Sequence, residues 1–593
     1  MAEYEIKDGV GIIPEGTTII EKRAFIDCEG LTRIVIPDSV TEIGESAFEG
    51  CTGLTSIAIP DSVTEIGDGA FRDCTGLTSI VIPKSVRKIA RAAFLKCTGL
   101  TEVVIPDSVT EIGWDVFNGC TGLTSIAIPD LVTEIGDRAF KGCIGLTSIA
   151  IPGSVTEIGD DAFEGCTGLT SIVIPDSVTE IGSRAFKGCT GLTSVAIGNS
   201  VSEIGRNIFS GCTGLTSIVM SEGNKVYDSR DNCNAIIETE SNTLIAGCKS
   251  TVVPDSVTGI VADAFSDCSG LTSIVIPGSV TKIGNDAFSG CSGLTNIVVS
   301  KGNKVYDSRD NCNAIIETQR NTLIAGCKNT VVPDTVTEIC MFAFRGCTGL
   351  TSIVIPDSVT EIKYEAFGGC TGLTSVVIGN SVTEIGSSAF EGCTGLTSVV
   401  IGNSVTEIGP SAFKGCSGLT SIAIPDSVKK IGSSFSDCTG LTSVVIGDSV
   451  TEILGGAFRG CTGLTSIVIP GSVTKIGNDA FSGCSGLTSI VIPSSVMEID
   501  ESAFARCEGL KSVIIEGKLK KIPSYAFGYC SSLESVTLPT GIGKIDEEAF
   551  FNCPALKTIN VPAKKGDYYR KRLPEALPGL VVELPAEKKA KKK

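Results

Sequence analysis

Cysteine is the residue type in this sequence with the widest range of possible chemistry, because its thiolate binds metals and takes part in redox reactions. The chain has 26 cysteines in 593 residues, and 21 of them recur at a nearly constant step of 23 residues, from Cys28 to Cys553. Zinc sites need ligand pairs separated by about two to four residues, and the sequence has no Cys-x-x-Cys. We therefore expect free, buried thiols stacked about 5 Å apart as small apolar groups, with no metal and no cofactor.

Acidic residues form two further columns at the same step. Glutamate occupies the Val-Thr-Glu-Ile site of most repeats, and aspartate often follows the repeat proline. Carboxylates at this spacing could bind calcium, but the glycine-rich motif of calcium-binding β-rolls is missing and lysines interrupt the column, as at Lys88 and Lys475. A solvated surface is therefore the preferred interpretation of these columns.

The residue types in the sequence do not indicate an enzyme. The chain has no histidine, which excludes Ser-His-Asp and Cys-His mechanisms and every zinc site that uses histidine. The sequence also contains no recognisable nucleophile–base pair and no phosphate-binding loop. We expect that the protein is not an enzyme.

Two intervals of 56 residues break the period, from Cys212 to Cys268 and from Cys291 to Cys347. Each contains a near copy of one insert, "GNKVYDSRDNCNAIIET" followed by "NTLIAGC". The segments "AIIE" and "TLIA" are each rich in apolar residues and flank a polar loop, which predicts a β-hairpin.

The hairpin predictions place cysteines at facing positions. Counting outward from a four-residue loop sets Cys233 opposite Cys248, and the same count sets Cys312 opposite Cys327. Directly paired residues in an antiparallel ladder are close enough for a disulfide. Both alternatives stay open: a disulfide in each hairpin, or free thiols.

The inserts also carry residue types that are enriched in binding hot spots. These candidate binding residues are Tyr227, Arg230, Tyr306 and Arg309. Insertions in solenoids often project from the binding side. The alternative is that these residues form a small core that the insert itself requires.

The elements that must position these residues are visible in one repeat, Cys166–Gly188. The pattern Leu-x-x-Ile-x-Ile predicts a short strand with one buried face, and Pro175 ends it. A second short segment and a brief helical or 3₁₀ turn follow. The inward-facing residues of this unit are predicted to be Cys166, Leu169, Ile172, Ile174, Val178, Ile181, Ala185 and Phe186. One such coil cannot bury this surface alone, so identical coils must stack.

The side of the first strand opposite the core presents small residues. We predict a flat, uncharged, mildly apolar stripe there, and such patches often mark an interaction surface. The candidate contact residues on this stripe are Ser56, Ser79, Val81, Ser125, Ser171 and Val173. The alternative is that small residues merely suit a crowded sheet.

The repeat motif, C-x-x-L-x-x-I-x-I-P-x-x-V-x-x-I-G-x-x-A-F, resembles the BspA-like class of leucine-rich repeats over about residues 10–562. The resemblance implies a curved, mostly β solenoid of stacked short parallel strands with short helical or 3₁₀ turns, here with two inserted β-hairpins. Members of this class are often surface or adhesion proteins that bind other proteins.

This resemblance and the period give the expected domain organisation. Residues 1–562 form a solenoid of about 21 coils, with hairpin inserts at about 221–250 and 300–329. Residues 563–585 depart from the motif and are predicted to cap the last coil, because a solenoid end exposes its core. Residues 586–593, rich in lysine, are predicted to be a disordered basic tail.

The net charge of −19 and the pI near 4.7 argue against nucleic acid as a partner. No signal peptide and no membrane-spanning stretch are evident, so the default expectation is a cytoplasmic monomer, whereas the family resemblance favours the cell surface or secretion.

The leading hypothesis is a non-enzymatic scaffold that binds a protein or a polysaccharide across its concave face and inserts. The alternative hypothesis is a purely structural solenoid without a specific ligand.

Overall fold

The computed structural model describes residues 4–585, so the predicted tail at 586–593 lies outside the described residues. The chain divides into two compact units, unit 1 (Met1–Leu294 with Val299–Lys304) and unit 2 (Thr295–Val298 with Val305–Lys593). In each unit, successive repeats form turns of a β-solenoid built from short parallel strands. This confirms the fold class that the period predicts.

Most turns of unit 1 carry a first strand after the repeat leucine and a two-residue second strand about nine residues later. The first strands are Val10–Ile12, Arg33–Val35, Ser56–Ala58, Ser79–Val81, Glu102–Val104, Ser171–Ile174, Ser194–Ile197, Ser217–Met220 and Ser273–Ile276. The second strands are Ile19–Ile20, Glu42–Ile43, Glu65–Ile66, Lys88–Ile89, Glu111–Ile112, Glu134–Ile135, Glu157–Ile158, Glu180–Ile181, Glu203–Ile204, Gly259–Ile260 and Lys282–Ile283. An additional strand, Glu5–Lys7, pairs antiparallel with Val10–Ile12.

Unit 2 repeats the same arrangement, and the strand Asn296–Val299 contains residues of both units. The first strands of unit 2 are Ser352–Ile355, Ser375–Ile378, Ser398–Val400, Ser421–Ile424, Ser443–Ile446, Ser489–Ile492, Ser512–Ile515, Ser535–Thr537, Thr558–Val561 and finally Val581–Glu583. The second strands are Glu338–Ile339, Glu361–Ile362, Glu384–Ile385, Glu407–Ile408, Lys430–Ile431, Glu452–Ile453, Lys475–Ile476, Glu498–Ile499, Lys521–Ile522 and Lys544–Ile545.

Strands at the same repeat position pair in register within each unit. In unit 1, Ser171 pairs with Ser194 and Val173 with Ala196, and in unit 2, Ser375 pairs with Ser398. Successive side chains of a strand point to opposite faces, so the isoleucines at the second and fourth positions are buried while serine and valine face outward. Every coil thus presents the same surface to the next.

A ladder of stacked phenylalanine rings forms part of the core of each unit. The ring centroids of Phe140 and Phe163 are 5.4 Å apart in unit 1, and those of Phe367 and Phe390 are 4.9 Å apart in unit 2. All four rings are fully buried. Offset stacking of this kind stabilises a pair by about 0.5–1.5 kcal/mol beyond the burial itself.

The segments around the phenylalanines are hydrogen-bonded turns and not the brief helices expected from the sequence. Two residues of most of these segments take a left-handed conformation, such as Asp161 (φ 56°) and Gly165 (φ 73°), which a right-handed helix cannot contain. The N–H of Phe163 donates to Ala185 O of the next coil at 2.7 Å, whereas the N–H of Cys166 donates locally to Phe163 O. The turns therefore tie coils together.

Helix is correspondingly scarce in the part of the chain that the structure describes. This part has one α-helix, Gly566–Arg570, and 3₁₀ turns at Arg230–Asn232, Arg309–Asn311 and Pro578–Leu580. Among residues 4–585, no helix has the length and apolar character needed to cross a membrane.

The repeat cysteine is a hydrogen-bond donor as well as an apolar group. The thiol of Cys166 donates to Phe140 O of the preceding coil at 3.1 Å, and the thiol of Cys393 donates to Phe367 O at 3.1 Å. Phe140 O also accepts the N–H of Cys143. A thiol is small and a weak donor, so it suits a buried position beside a carbonyl, and all 26 cysteines are free thiols.

The glycine of the Cys-Thr-Gly-Leu segment is needed because neighbouring coils approach closely there. A Cβ atom built on Gly168 would lie 2.6 Å from Ile144 O, and one on Gly122 would lie 2.7 Å from Thr98 O. These contacts are shorter than van der Waals distance and involve backbone, which cannot move aside without disturbing the stack. The period is therefore a packing requirement as well as a pattern.

The inserts are β-hairpins that replace part of a coil. In unit 1, strands Ala235–Glu238 and Thr243–Gly247 pair antiparallel, preceded by the short strand Tyr227–Asp228. Thr243–Gly247 also pairs in parallel with Gly259–Ile260, so the hairpin joins the row of second strands. Unit 2 contains the corresponding strands Tyr306–Asp307, Ala314–Glu317 and Thr322–Gly326.

The hairpin interrupts the phenylalanine ladder in a defined way. The N–H of Gly247 donates to Ala264 O at 2.9 Å, the bond that a phenylalanine N–H makes in ordinary coils. A Cβ atom on Gly247 would overlap the ring of Phe265. Glycine thus occupies a ladder position, and the ring of the following coil fills the space.

The segment after the last repeat packs on the last coils of unit 2. Val581–Glu583 pairs in parallel with Thr558–Val561, and Tyr569 of the α-helix is fully buried, with its hydroxyl donating to Pro539 O. These contacts support the predicted role of residues 563–585, and we propose that this segment caps the solenoid.

Replacing Phe390 by alanine should destabilise unit 2 by roughly 3–5 kcal/mol, because a fully buried ring that stacks on two neighbours is removed. Phe551, which is 47 % exposed, provides the control, and its change to alanine should cost less than about 1 kcal/mol. Hydrogen–deuterium exchange of peptides around each site measures the effect, since repeat arrays need not unfold in one step. Equal protection in both variants would contradict the ladder's role.

Native thiols should resist alkylation. Burial raises the pKa of Cys97 and of Cys484 to about 12, so almost no thiolate is present at pH 8. Iodoacetamide should modify only the half-buried Cys28, Cys340 and Cys553 in the folded protein, and all 26 cysteines in guanidinium. Even these three should react more slowly than a free cysteine, because burial also raises their pKa values. Mass spectrometry counts the modified peptides, and rapid labelling of Cys97 in the folded protein would refute this.

Candidate functional site

The outward-pointing residues of the first strands form a surface that we call the first-strand face. On this face Val81 and Val173 of unit 1 are 61 % and 66 % exposed, and Val354 of unit 2 is 64 % exposed. The structure exposes all six residues that the sequence predicted for this stripe, including Ser125, where the strand is not regular. Whether they bind a ligand stays a prediction.

In unit 2, three neighbouring coils and Asp334 of the coil before them form a groove of about 610 Å³ at the ends of the first strands, which we call the coil-end groove. Its apolar row consists of the exposed valines Val354, Val377 and Val400. Its polar row consists of the exposed residues Asp357, Asn380 and Asn403. Each coil contributes one member to each row.

Hydrogen bonds between coils hold the polar row in place. Asp357 Oδ1 accepts the N–H of Asn380 at 2.6 Å, and Asn380 Oδ1 accepts the N–H of Asn403 at 3.3 Å. Gly379 and Gly402 stand where most repeats have proline, and a Cβ atom on Gly379 would lie 2.7 Å from Pro356 O. No residue of this groove was predicted from the sequence, although the change from Ile-Pro-Asp to Ile-Gly-Asn on two adjacent coils marks it.

The candidate binding residues of the first hairpin lie largely in its interior. Tyr227 is only 7 % exposed, and burial raises the pKa of its hydroxyl. The Arg230 guanidinium donates to Asp228 Oδ2 at 2.7 Å and through Nη1 to Asn242 Oδ1 at 2.8 Å. Its Nη1 also lies 3.3 Å from Ser256 Oγ of the following coil. Through these contacts Arg230 links the hairpin to the following coil of the solenoid.

The second hairpin repeats this geometry. Tyr306 is 7 % exposed. Arg309 donates to Asp307 Oδ2 at 2.7 Å and to Asn321 Oδ1 at 2.7 Å. The geometry therefore agrees with the alternative that these residues stabilise the insert, and a role in binding stays untested.

The pairing of the hairpin strands near the cysteines is shifted by one residue from the pairing predicted from the sequence. Ala235 pairs with Gly247, but a β-bulge at Ile245 shifts the ladder, so Cys233 and Cys248 are not directly opposite. Both are free thiols: Cys233 donates to Ala235 O at 3.7 Å and Cys248 to Asn234 O at 3.4 Å. The same bulge separates Cys312 from Cys327, which are also free.

The acidic column forms a parallel ladder in unit 1. Glu134, Glu157, Glu180 and Glu203 pair in sequence across four second strands. Partial burial, together with the charges of Glu157 and Glu203, raises the pKa of Glu180. Among residues 4–585, no group of three or more potential ligands is arranged to hold a metal ion.

Solved structures similar to the chain include three bacterial leucine-rich repeat proteins. A leucine-rich cell surface protein from Faecalibacterium prausnitzii is 36 % identical, with 57 % of this chain and 83 % of that chain covered and a TM-score of 0.40. A leucine-rich repeat protein from Bacteroides ovatus is 27 % identical, covering 78 % and 82 %, with a TM-score of 0.28. One from Eubacterium ventriosum is 21 % identical, covering 69 % and 83 %, with a TM-score of 0.34.

No curated protein shows significant sequence similarity to the chain. The family model for the BspA type leucine-rich repeat region matches residues 17–147, 133–239, 246–317, 337–465 and 451–569. These matches cover most of the chain, and they coincide with the coils of both units. The chain therefore belongs to the BspA-type leucine-rich repeat family.

Proposed function

We propose that the protein is a non-enzymatic recognition scaffold that binds a protein or a glycan on its first-strand face. The observation that carries the proposal is the row of exposed valines on this face. In unit 1, Val173, Ala196 and Val219 occupy paired positions on three adjacent coils, and the two valines are 66 % and 49 % exposed. Repeated exposed apolar side chains cost solvation and often mark an interaction surface.

The regular spacing of the face favours binding through many weak contacts. Because coils repeat in register, a ligand that contacts one coil can contact the next in the same way, and linked contacts raise the overall affinity. The buried ladders keep these contact residues in fixed positions, so little conformational entropy is lost on binding. This mode needs no deep pocket.

The absence of catalysis is part of the proposal. Leucine-rich repeat solenoids generally serve as binding scaffolds, and the chain has no histidine. Burial raises the pKa of repeat thiols such as Cys143, which makes these thiols poor nucleophiles. The hairpin residues Tyr227, Arg230, Tyr306 and Arg309 contribute by holding the inserts in place.

We also propose a cell-surface or secreted location, which the family resemblance favours. Burial would protect the free thiols from oxidants there, because oxidation requires access to the sulfur. Surface biotinylation of intact source cells and immunoblotting of the culture medium test this location: the protein should be labelled on the cells or found in the medium, whereas labelling only after lysis with none in the medium would contradict it.

Replacing Val173 and Val219 by glutamate should weaken recognition, because a ligand would have to bury two charges against an apolar row. In a panel of immobilised matrix proteins and glycans, the unmodified chain should bind at least one member saturably. For that ligand, the double variant should raise Kd by more than about tenfold. Surface plasmon resonance gives the values.

The matched control replaces Leu131 and Ile144, which are 56 % and 50 % exposed in unit 1 and lie outside the first strands, by glutamate. This control should bind as the unmodified chain does, and both variants should keep its circular dichroism spectrum. Equal losses in both variants would contradict a role of the first-strand face. A complete lack of saturable binding would favour the purely structural solenoid.

A further inference from the structure

We propose that the coil-end groove of unit 2 binds an extended, uncharged polysaccharide, with one sugar per coil. This inference rests on the proposed recognition function and names a ligand class for one part of the first-strand face. The groove has a volume of about 610 Å³, which is within the range of ligand sites. It differs from the rest of the face because two adjacent coils carry Gly-Asn in place of Pro-Asp, so its polar row includes the side-chain amides of Asn380 and Asn403.

The spacing of the coils fits a sugar chain. In these coils the stacked rings of Phe344, Phe367 and Phe390 are 4.8 Å and 4.9 Å apart, and paired strands have the same spacing. An extended chain of β-1,4-linked hexopyranoses advances by a closely similar distance per sugar. A chain that lies along the stacking direction can therefore keep each sugar at an equivalent coil.

The two rows of the groove match the two kinds of surface on a pyranose. The methyl groups of Val354, Val377 and Val400 can contact the apolar C–H face of the rings, and these valines are 64 %, 42 % and 54 % exposed. The polar row can bond to hydroxyl groups. Because Asn380 Oδ1 accepts the N–H of Asn403, the Nδ2 group of Asn380 is the part that can donate to a ligand.

Charge selects the class of polysaccharide. The lining residues, all of which the structure describes, include Asp334 and Asp357 and no lysine or arginine. Acidic glycans such as polyuronates would be repelled by these carboxylates and by the net charge of −19, because like charges raise the free energy of a complex. Neutral sugars, whose hydroxyls donate to carboxylate and amide oxygens, face no such cost.

Isothermal titration calorimetry of the full chain with cellohexaose, chitohexaose and oligogalacturonate tests the proposal. At least one of the two neutral hexasaccharides should bind with a Kd on the order of 0.1–1 mM, as expected for a shallow site. The affinity should increase from the disaccharide to the trisaccharide and gain little beyond it, since three coils form the groove. Oligogalacturonate should not bind.

Variants then assign the binding to the groove. Asn380→Ala together with Asn403→Ala should weaken binding of the neutral hexasaccharide about tenfold, as expected when two hydrogen bonds to a ligand are lost. The matched control is Asn199→Ala in unit 1, where Asn199 follows the same Ile-Gly motif and donates its N–H to Asp176. This control should leave the affinity unchanged.

The results separate this inference from the proposed function. No heat with either neutral hexasaccharide, equal binding of oligogalacturonate, or equal affinity in the Asn380/Asn403 variant would overturn the groove as a polysaccharide site. A protein ligand that is lost in the Val173/Val219 variant, with no oligosaccharide binding, would leave the recognition scaffold standing and the groove proposal refuted.

Discussion

A 23-residue coil of this chain can bury its apolar side chains only against another coil, and this constraint governs the rest of the structure. The buried face of each coil must fit a copy of itself at a spacing of about 5 Å. Phenylalanine rings, thiols and isoleucines meet this requirement because each recurs at a fixed position of the repeat. The glycines at positions such as Gly168 serve the same fit, since a side chain there would collide with the carbonyl of Ile144. The repeats are nearly identical because every coil must meet this requirement.

Departures from the repeat are tolerated where they preserve the contacts between coils. The coil that lost one residue places Ser434 at the usual alanine site, and its fully buried hydroxyl donates to Ile408 O and Gly409 O. In the first hairpin, Gly247 occupies the position of a ladder phenylalanine and has no ring, but its N–H still donates to Ala264 O. What the solenoid maintains is the ladder of backbone bonds and the exclusion of water. Individual side chains can change within those limits.

The sequence predicts the fold well because the period alone specifies which residues face each other. It predicts the exposed stripe for the same reason, since Ser171 and Val173 must point away from Ile172 and Ile174. It does not reveal the bulge at Ile245, because a single extra residue in a hairpin leaves no mark in composition and yet shifts Cys233 from Cys248. The donor role of the repeat thiol is likewise invisible without the position of the facing carbonyl.

Specificity in such a molecule must come from the positions that the stacking constraint leaves free. The buried residues are nearly the same in every coil, so they cannot distinguish one part of the surface from another. The first-strand face and the coil ends do vary, as where Ile-Gly-Asn replaces Ile-Pro-Asp at Asn380 and Asn403. Glycine lets the next coil approach there, and asparagine adds a donor that aspartate lacks. A local change of three residues, repeated on adjacent coils, thus gives a uniform scaffold a chemically distinct groove.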